Sequence, residues 1–216
     1  MEPTSLDHVA LWVADRDSIA KFATEHLGMH VIERTDRFTL VGSDARRGKL
    51  TLFQAEGPRE PGQLERVGLR VSDLESARAA LPDGTPEVFD IGDGLRITLV
   101  EGETDTEYDL DHVALLSPDP EAAAREWRRF GLSAAGPGIV EVGGAFIELV
   151  AGEVEQTERP LLNHLGVLVG DAAPAQESGF EVADVVDGPN TFAVFVWGPD
   201  RVKLEYVEHK ASFSLR

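Results

Sequence analysis

Residues 6–11 of the chain read LDHVAL, and the same six letters return at residues 110–115. Looser copies read LERVGL at residues 64–69 and LNHLGV at residues 162–167. The chain therefore contains four copies of one small unit. Such a repeat indicates the architecture before any single residue is interpreted. A histidine stands at the third place of three copies, as His8, His112 and His164.

Each copy opens a strand, and a helix and further strands follow it. Alternating or near-continuous apolar runs predict the first strands, at residues 6–13, 64–71, 110–116 and 162–169. Helical spacing and capping residues predict helices, at residues 15–27, 74–81 and 119–130, with a short weak one at 171–178. Polar stretches link the units, at residues 58–63, 102–107 and 152–160.

The remaining apolar pieces are short strands divided by turn residues. They are predicted at residues 29–34, 37–42 and 48–54, then 87–90 and 95–100, then 138–142 and 145–150, then 180–186, 191–197 and 201–208. A sheet with one helix leaves one face open, so two units side by side would form a curved sheet enclosing a cleft, with helices outside. We predict an α+β protein of four βαβββ modules. We expect the first two modules to pair as a structural half, residues 1–103, and the last two to pair as residues 104–216.

Composition restricts the partners. The 216 residues carry 39 acidic and 20 basic side chains, for a formal net charge of -19, and include no cysteine. Such a field repels nucleic acid and anionic membranes, so we expect a small-molecule substrate and neither of those partners. The acid excess with only four lysines predicts a halophilic protein, because salt screens the mutual repulsion of carboxylates. The apolar N-terminal run lacks a preceding basic region, which predicts a cytoplasmic location.

Four side chains of the second half are candidates for a metal site. His112 and His164 lie on first strands, while Glu148 and Glu205 stand in the middle of apolar strands, where an unpaired carboxylate is costly. Paired modules would aim all four into one cleft. Two imidazoles and two carboxylates without sulfur suit one divalent ion, Fe, Mn, Zn, Ni or Co, which could act as a Lewis acid on neighbouring substrate oxygens. The alternative is that each histidine is a strand residue bonded to a neighbour.

The first half serves as an internal control. By counting from the preceding glycines, its corresponding residues are His8, Leu52, Arg66 and Thr98. Leucine and arginine do not bind metals. We therefore interpret His8 as a vestige or a packed strand histidine, and the first two modules as structural.

Other aromatic and imidazole side chains are weaker candidates. His26 and His30 flank the end of the first helix, and His209 follows the last strand in an acidic segment, where we expect it to be solvated. The helix at 119–130 buries its own aromatic side chains, Trp127 and Phe130. The side chains that could line the cleft instead of packing are Trp12, Phe195, Trp197 and Tyr206.

With the repeat and the candidate ligands in hand, the chain resembles the vicinal oxygen chelate superfamily over nearly its whole length. This group of βαβββ-module proteins includes glyoxalase I, extradiol ring-cleaving dioxygenases, fosfomycin-resistance enzymes and bleomycin-binding proteins. LDHVAL at a module start and GPDRVKLEYVE, residues 198–208, at a module end are typical of it. These motifs are more specific for the fold than for the reaction.

The glyoxalase-type enzymes are similar in ligand set, and theirs is the leading function. The resemblance implies four metal ligands, His112, Glu148, His164 and Glu205, of which Glu148 or Glu205 shuttles a proton between adjacent substrate carbons. The reaction is then that of a metal-dependent isomerase or lyase. The sequence leaves open whether the chain forms a homodimer.

The extradiol dioxygenases are similar in layout and give the alternative function. Their two histidines and one carboxylate map onto His112, His164 and Glu205. The acid/base histidine that they carry before the second metal histidine is missing, and Glu148 stands in that region. Phe195 replaces their tyrosine, and both departures weaken the proton transfer that ring cleavage needs. A second alternative is a metal-free ligand-binding protein of the bleomycin-resistance type.

Overall fold

Four modules follow one another along the chain, each opening with the strand that the repeat predicts. The computed structural model describes residues 2–154 and 157–216, so the predicted linker at 152–160 is seen except for residues 155 and 156. The first module contains β1 (Ser5–Val13), α1 (Arg16–His26), β2 (His30–Arg34), β3 (Phe38–Gly42) and β4 (Lys49–Gln54). The second contains β5 (Leu64–Val71), α2 (Leu74–Ala79), β6 (Val88–Asp90) and β7 (Arg96–Glu101).

The second half repeats the order of strands and helix seen in the first module. The third module contains β8 (Asp109–Ser117), α3 (Pro120–Trp127), β9 (Ser133–Gly136), β10 (Ile139–Val142) and β11 (Ala145–Ala151). The fourth contains β12 (Leu162–Leu168), β13 (Val182–Asp187), β14 (Thr191–Trp197) and β15 (Lys203–His209). In place of the weak fourth helix there is a 3-10 turn at Ala173–Glu177. The α+β class is confirmed, and no helix of the described chain is long and apolar enough to cross a membrane.

The three helices begin in the same way. Asp15, Asp73 and Asp119 each accept a hydrogen bond from the backbone N–H three residues later. An aspartate at this position satisfies one of the free N–H groups that every helix start exposes. The fourth module has no such cap, which agrees with its single short turn. Trp127 and Phe130 are buried at the end of α3, as predicted.

The sheets pair the modules in a different way from our expectation. One sheet has the order β13-β14-β15-β12-β1-β4-β3-β2, and the other has the order β6-β7-β5-β8-β11-β10-β9. The first module therefore pairs with the fourth, and the second with the third, through antiparallel first strands. The expected pairing of neighbouring modules was wrong.

The reason for this error is physical. All four first strands carry the same apolar pattern, so the pattern does not say which two edges meet. Two of the linkers, residues 58–63 and 152–160, pair with each other through Glu60 and Pro160. Each sheet takes one module from each half of the chain. The division of the chain into two halves, residues 1–103 and 104–216, stays a prediction from the sequence repeat.

The second module also has one strand fewer than the other three. Its three strands, β5, β7 and β6, leave a seven-stranded sheet beside the eight-stranded one. Helices and core side chains cover one face of each sheet, where Val9, Leu11 and Val13 of β1 are buried completely. The opposite face of each sheet carries the histidines, so the molecule has two clefts.

Candidate metal centre

A bulge in each first strand positions the site residues. In the pairing of β1 with β12, and of β5 with β8, one residue just before each histidine or arginine has no opposite partner. These extra residues are Asp7, Glu65, Asp111 and Asn163. A bulge turns its residue toward the side chain that follows and is common beside functional sites. The repeat thus produces the same bulge before a site residue in all four first strands.

The first cleft brings together three buried side chains that we call the triad: His8, His164 and Glu205. His8 Nε2 lies 2.9 Å from both His164 Nε2 and Glu205 Oε2, and His164 Nε2 lies 2.8 Å from the same carboxylate oxygen. Their side chains are only 5–10% exposed. Within the described chain, this is the group of imidazoles and carboxylates that could hold a metal ion.

The bulge residues fix the orientation of both imidazoles. Asp7 Oδ2 lies 2.8 Å from His8 Nδ1, and Asn163 Oδ1 lies 3.1 Å from His164 Nδ1. Because Asn163 offers a carbonyl oxygen there, His164 donates from Nδ1 and presents Nε2 with a free lone pair. Such second contacts are typical of metal-binding histidines, since they fix the tautomer and the ring plane.

Asp7 is itself buried, with one ammonium group and two imidazoles around its carboxylate. Lys49 Nζ donates to Asp7 Oδ1 at 2.9 Å, and His209 Nε2 lies 3.1 Å from the same oxygen. Burial would raise the pKa of Asp7, but the Lys49 ammonium and the two neighbouring histidines hold it well below its usual range. His209 is 9% exposed at its side chain and stacks on Phe213, so the expectation that it is solvated was wrong.

The electrostatics of the triad favour an ionised carboxylate. Burial raises the pKa of Glu205, but the charge of His8 and the contacts with both imidazoles outweigh it and lower that pKa to about 2. Burial lowers the pKa of His8, and the carboxylates of Glu205 and Asp7 more than reverse this and raise it to about 9. Burial keeps the pKa of His164 below its ordinary value. The buried carboxylate thus requires a cation beside it.

The donor atoms fit a divalent metal. They form a nearly equilateral triangle with edges of 2.8, 2.9 and 2.9 Å. Three ligands on one face of an octahedron, each about 2.05 Å from the ion, stand about 2.9 Å apart. Two histidines and one carboxylate in this arrangement leave the opposite positions open for substrate.

A fourth ligand position is filled by threonine. The cross-strand partner of Ala10, two residues after His8, is Thr51, just as Glu148 is the partner of Ala114, two residues after His112. Leu52 lies opposite Leu11 and is completely buried in the core. The assignment of Leu52 to this position was wrong by one residue, because the turn before β4 differs in length from the turn before β11.

The second cleft holds a group that we call the arginine cluster: Arg66, His112 and Glu148. Arg66 Nε donates to His112 Nε2 at 3.2 Å, and Arg66 Nη2 donates to Glu148 Oε2 at 2.5 Å. Thr98 stands opposite Gly68 in the fourth position. The guanidinium therefore lies between the imidazole and the carboxylate, where the triad has His8.

The arginine cluster is more open than the triad. The side chain of Glu148 is 35% exposed, and a cavity above it is walled by Ala135, Ile139 and Phe146. The second module, which contributes Arg66, has one strand fewer than the others, so this cleft is built on seven strands and not on eight.

The structure thus separates the four predicted ligands. His164 and Glu205 lie in the first cleft, whereas His112 and Glu148 lie in the second, in a different sheet. The expectation of one shared cleft was wrong. His8, which we interpreted as a vestige or a packed strand histidine, lies against His164 and Glu205 and is a candidate ligand beside them. The signal for His8 was present in the sequence, since its hexapeptide equals that of His112, but it needed the correct pairing of modules.

The predicted cleft-lining aromatics divide in the same way. Phe195 meets the ring of His164 edge-on at 5.0 Å between centroids, and Phe53, which was not singled out, lies 6.3 Å from it. Trp197 lines a cavity beside the triad. Tyr206 is wholly buried on the opposite face, where its hydroxyl donates to Phe130 O at 2.9 Å and burial raises its pKa. Of the two roles left open for Tyr206, packing is the one observed, because neighbours along a strand face opposite ways.

Solved structures share this fold at low sequence identity. A protein from Bacillus subtilis subsp. subtilis str. 168, described as a candidate dioxygenase, matches with a TM-score of 0.77 and 17% identity, over 98% of this chain and 87% of that one. Glyoxalase I from Zea mays matches with a TM-score of 0.73 and 16% identity, over 94% and 92%. The cppA protein from Streptococcus pneumoniae TIGR4 matches with a TM-score of 0.65 and 14% identity, over 95% and 98%.

Sequence comparison supports the same relationship at the level of the family. No curated protein matches the chain. Residues 5–176 match the family described as Glyoxalase/Bleomycin resistance protein/Dioxygenase superfamily. Because that match spans most of the chain and the modules, bulges and clefts agree with it, the chain belongs to the glyoxalase/bleomycin resistance protein/dioxygenase superfamily.

Proposed function

We propose that the chain is a metalloenzyme that binds one divalent ion through His8, His164 and Glu205 and acts on a small molecule with two neighbouring oxygen atoms. The observation that carries this proposal is the triad itself, three buried donors spaced 2.8–2.9 Å apart. A buried cluster of this kind costs free energy unless a cation compensates the carboxylate. Open positions opposite the three ligands leave room for two substrate oxygens.

The reaction class that this ligand set supports best is dioxygenase chemistry of the extradiol type. Two histidines and one carboxylate on one face are typical of Fe(II) oxygenases. The metal, when bound, supplies Lewis acidity and, as Fe(II), a site for dioxygen. In ring cleavage, one carbon–carbon bond breaks and both atoms of one O2 enter the product, so no external reductant is consumed.

The chain's own residues hold the reacting groups in place. Asp7 and Asn163 fix the planes of the two imidazoles. Glu205 supplies the negative charge that offsets part of the metal's charge, and the rings of Phe53 and Phe195 beside His164 limit access of water. A drier site strengthens each electrostatic contact within it.

The glyoxalase-type isomerase that the sequence favoured is less well supported. It needs a second carboxylate at the metal, and the corresponding place holds Thr51. Glu148, the predicted second catalytic glutamate, is paired with Arg66 in the other cleft. Glu205 alone would have to act both as ligand and as proton shuttle.

The test combines metal content with turnover. Protein stripped with EDTA is reloaded anaerobically with Fe(II), and O2 uptake is followed with catechol. We expect one Fe(II) per chain and O2 uptake that matches the ring-cleaved product; His164→Ala abolishes both, and the exposed control His30→Ala retains both. Absence of bound metal would contradict the whole proposal. Turnover of a methylglyoxal–thiol adduct with Ni(II) or Zn(II), without catechol cleavage, would restore the isomerase.

A further inference from the structure

An imidazole that the proposed function does not use lies behind the triad. His209 ends β15, four residues after Glu205, so strand alternation turns both side chains to the cleft face. The side chain of His209 is 9% exposed, and its Nε2 lies 3.1 Å from Asp7 Oδ1. One strand therefore contacts His8 directly through its glutamate, and the bulge aspartate beside His8 through its terminal histidine.

The carboxylate of Asp7 has a place for this imidazole. Lys49 Nζ lies 2.9 Å from both carboxylate oxygens, and Oδ2 also lies 2.8 Å from His8 Nδ1. His209 Nε2 gives Oδ1 its second contact. A buried carboxylate needs such compensation at each oxygen, because an unpaired polar atom away from water is costly. With Oδ1 held from two sides, Oδ2 is the oxygen turned toward His8.

The ring of His209 is held by stacking. It lies on the ring of Phe213, with 4.2 Å between centroids and 21° between the two planes. The Arg46 guanidinium lies 5.1 Å from the centre of the Phe213 ring, and Phe213 N donates to Lys210 O at 2.9 Å. His209 Nε2 makes no hydrogen bond of normal geometry within the described residues. The stack therefore determines where this nitrogen lies, and its contact with Asp7 is electrostatic.

The second sheet fills the same place in another way. In each sheet a glycine faces the histidine of the LDHVAL copy, and a residue of the next strand pairs with that glycine. Four residues beyond that partner, the first sheet has His209 and the second has Gly102. A Cβ at Gly102 would lie 3.1 Å from Arg70 Cδ, and Arg70 Nε donates to Asp111 Oδ2 at 2.8 Å. Leu168, which has no side-chain donor, stands where the second sheet has Arg70. Each LDHVAL aspartate thus has a nitrogen partner at this place, and in the first sheet that partner is His209.

We propose that His209 is a positioning residue of the metal centre, which holds Asp7 so that Asp7 orients His8. Phe213 seats the imidazole, the imidazole and Lys49 fix the carboxylate, and the carboxylate fixes the ring plane of His8. A ligand that is oriented in advance binds an ion more tightly, because less freedom is lost on binding. The inference rests on the proposed function for one point only, that His8 binds the metal.

The test removes the nitrogen and keeps the stack. His209→Phe retains a flat ring beside Phe213 and loses the contact with Asp7, whereas His209→Gln returns a donor near the position of Nε2. NMR of metal-free protein with isotope-labelled histidine records the ring nitrogens. We expect His209→Phe to shift or broaden the signals of His8 and to leave those of His112 unchanged. His209→Gln should restore the signals of His8.

Arg70→Gln is the matched control, because it removes the nitrogen partner of the other LDHVAL aspartate. It should change the signals of His112 and leave those of His8 unchanged. Zinc titration gives a second readout. His209→Phe should weaken zinc binding about 5-fold, less than the about 10–100-fold of a group bonded directly to a ligand, and Arg70→Gln should leave it unchanged.

The outcomes separate this inference from the proposed function. Unchanged His8 signals in His209→Phe, with or without a lower melting temperature, would overturn the positioning role, and so would failure of His209→Gln to restore them. If the His8 signals change as expected while the protein takes up no zinc, the positioning role stands and the metalloenzyme proposal fails. If His209→Phe does not fold, Phe213→Leu loosens the stack and keeps the nitrogen. It should change the His8 signals in the same direction by a smaller amount, and no change would overturn the inference.

Discussion

The triad and the arginine cluster occupy corresponding places in two sheets of similar design. One side of each is a histidine and a glutamate from a single module, His164 with Glu205 and His112 with Glu148. The other side is His8 in the first cleft and Arg66 in the second. In the second cleft a guanidinium supplies the positive charge that an ion would supply in the first.

The repeat thus specifies the strands and bulges of both clefts. The single residue at the place of His8 or Arg66 then decides whether the cleft offers a ligand or a fixed positive charge. The bulges, the carboxylate and the glycine opposite His8 or His112 are common to both clefts. An imidazole can lose its proton and offer a lone pair to a metal ion, whereas arginine keeps its charge and offers no lone pair. Of the two clefts, the first is therefore the one proposed to hold a metal ion.

The largest effect is expected from breaking the identical hexapeptides one at a time. His8→Ala removes one of three ligands and should weaken metal binding more than about 100-fold, since even supporting contacts contribute 10–100-fold. His112→Ala, in the same six-residue sequence, should leave metal affinity unchanged. Isothermal titration with Zn(II) or Mn(II) measures both. An equal loss of metal affinity in the two variants would indicate that His112 is a metal ligand.

The second experiment tries to convert one cleft into the other. Arg66→His places a second imidazole beside His112 and Glu148, which restores two histidines and one carboxylate. We expect the metal content to rise from one ion per chain to two, with the added site weaker because Glu148 is partly exposed. Elemental analysis after dialysis gives the stoichiometry.

Arg66→Ala is the control for that conversion, because it removes the guanidinium without adding a ligand. Its metal content should stay at one ion per chain. A single ion in Arg66→His as well would show that the exposure of Glu148 in the second cleft, and not arginine alone, prevents binding.

Much of this comparison follows from the sequence, and the remainder depends on which modules pair in each sheet. The LDHVAL copies predicted the first strands, and aspartates before α1, α2 and α3 marked the helix starts. Which first strands meet was beyond the pattern, because four equivalent apolar edges give no preference. The error at Leu52 has the same origin at smaller scale, since a shift of one residue moves a strand side chain to the opposite face.

Tyr206 was predictable from alternation once Glu205 was placed in the cleft, because adjacent strand residues cannot share a face. The sequence identified His8 as a histidine of the repeat, but it did not predict its contact with His164 and Glu205. Its partners His164 and Glu205 are more than 150 residues distant in sequence, and only the antiparallel contact of β1 with β12 brings them together.

A smaller effect is expected at the glycines that make room for each imidazole. Gly166 lies opposite His8, and Gly68 lies opposite His112; a Cβ at either position would collide with the facing ring. Gly166→Ala and Gly68→Ala should each cost about 1–3 kcal/mol of stability through overpacking. Only Gly166→Ala should also weaken metal binding. Thermal unfolding and zinc titration of both variants separate the two effects, and unchanged zinc affinity in Gly166→Ala would argue against His8 as a ligand.

The smallest expected effect concerns the bulge residues that orient the imidazoles. Asn163→Ala removes the oxygen 3.1 Å from His164 Nδ1, so the ring can rotate and its tautomer is no longer fixed. Metal affinity should fall about 10-fold, at the low end for lost supporting contacts, which corresponds to about 1.4 kcal/mol. The matched change in the other sheet, Asp111→Ala, removes the bulge residue 2.8 Å from His112 Nδ1 and should leave metal affinity unchanged. If Asn163→Ala binds metal as tightly as the unaltered chain, the packing of Phe195 and Phe53 against His164 holds the ring without the bulge, and the bulges serve the fold and not the site.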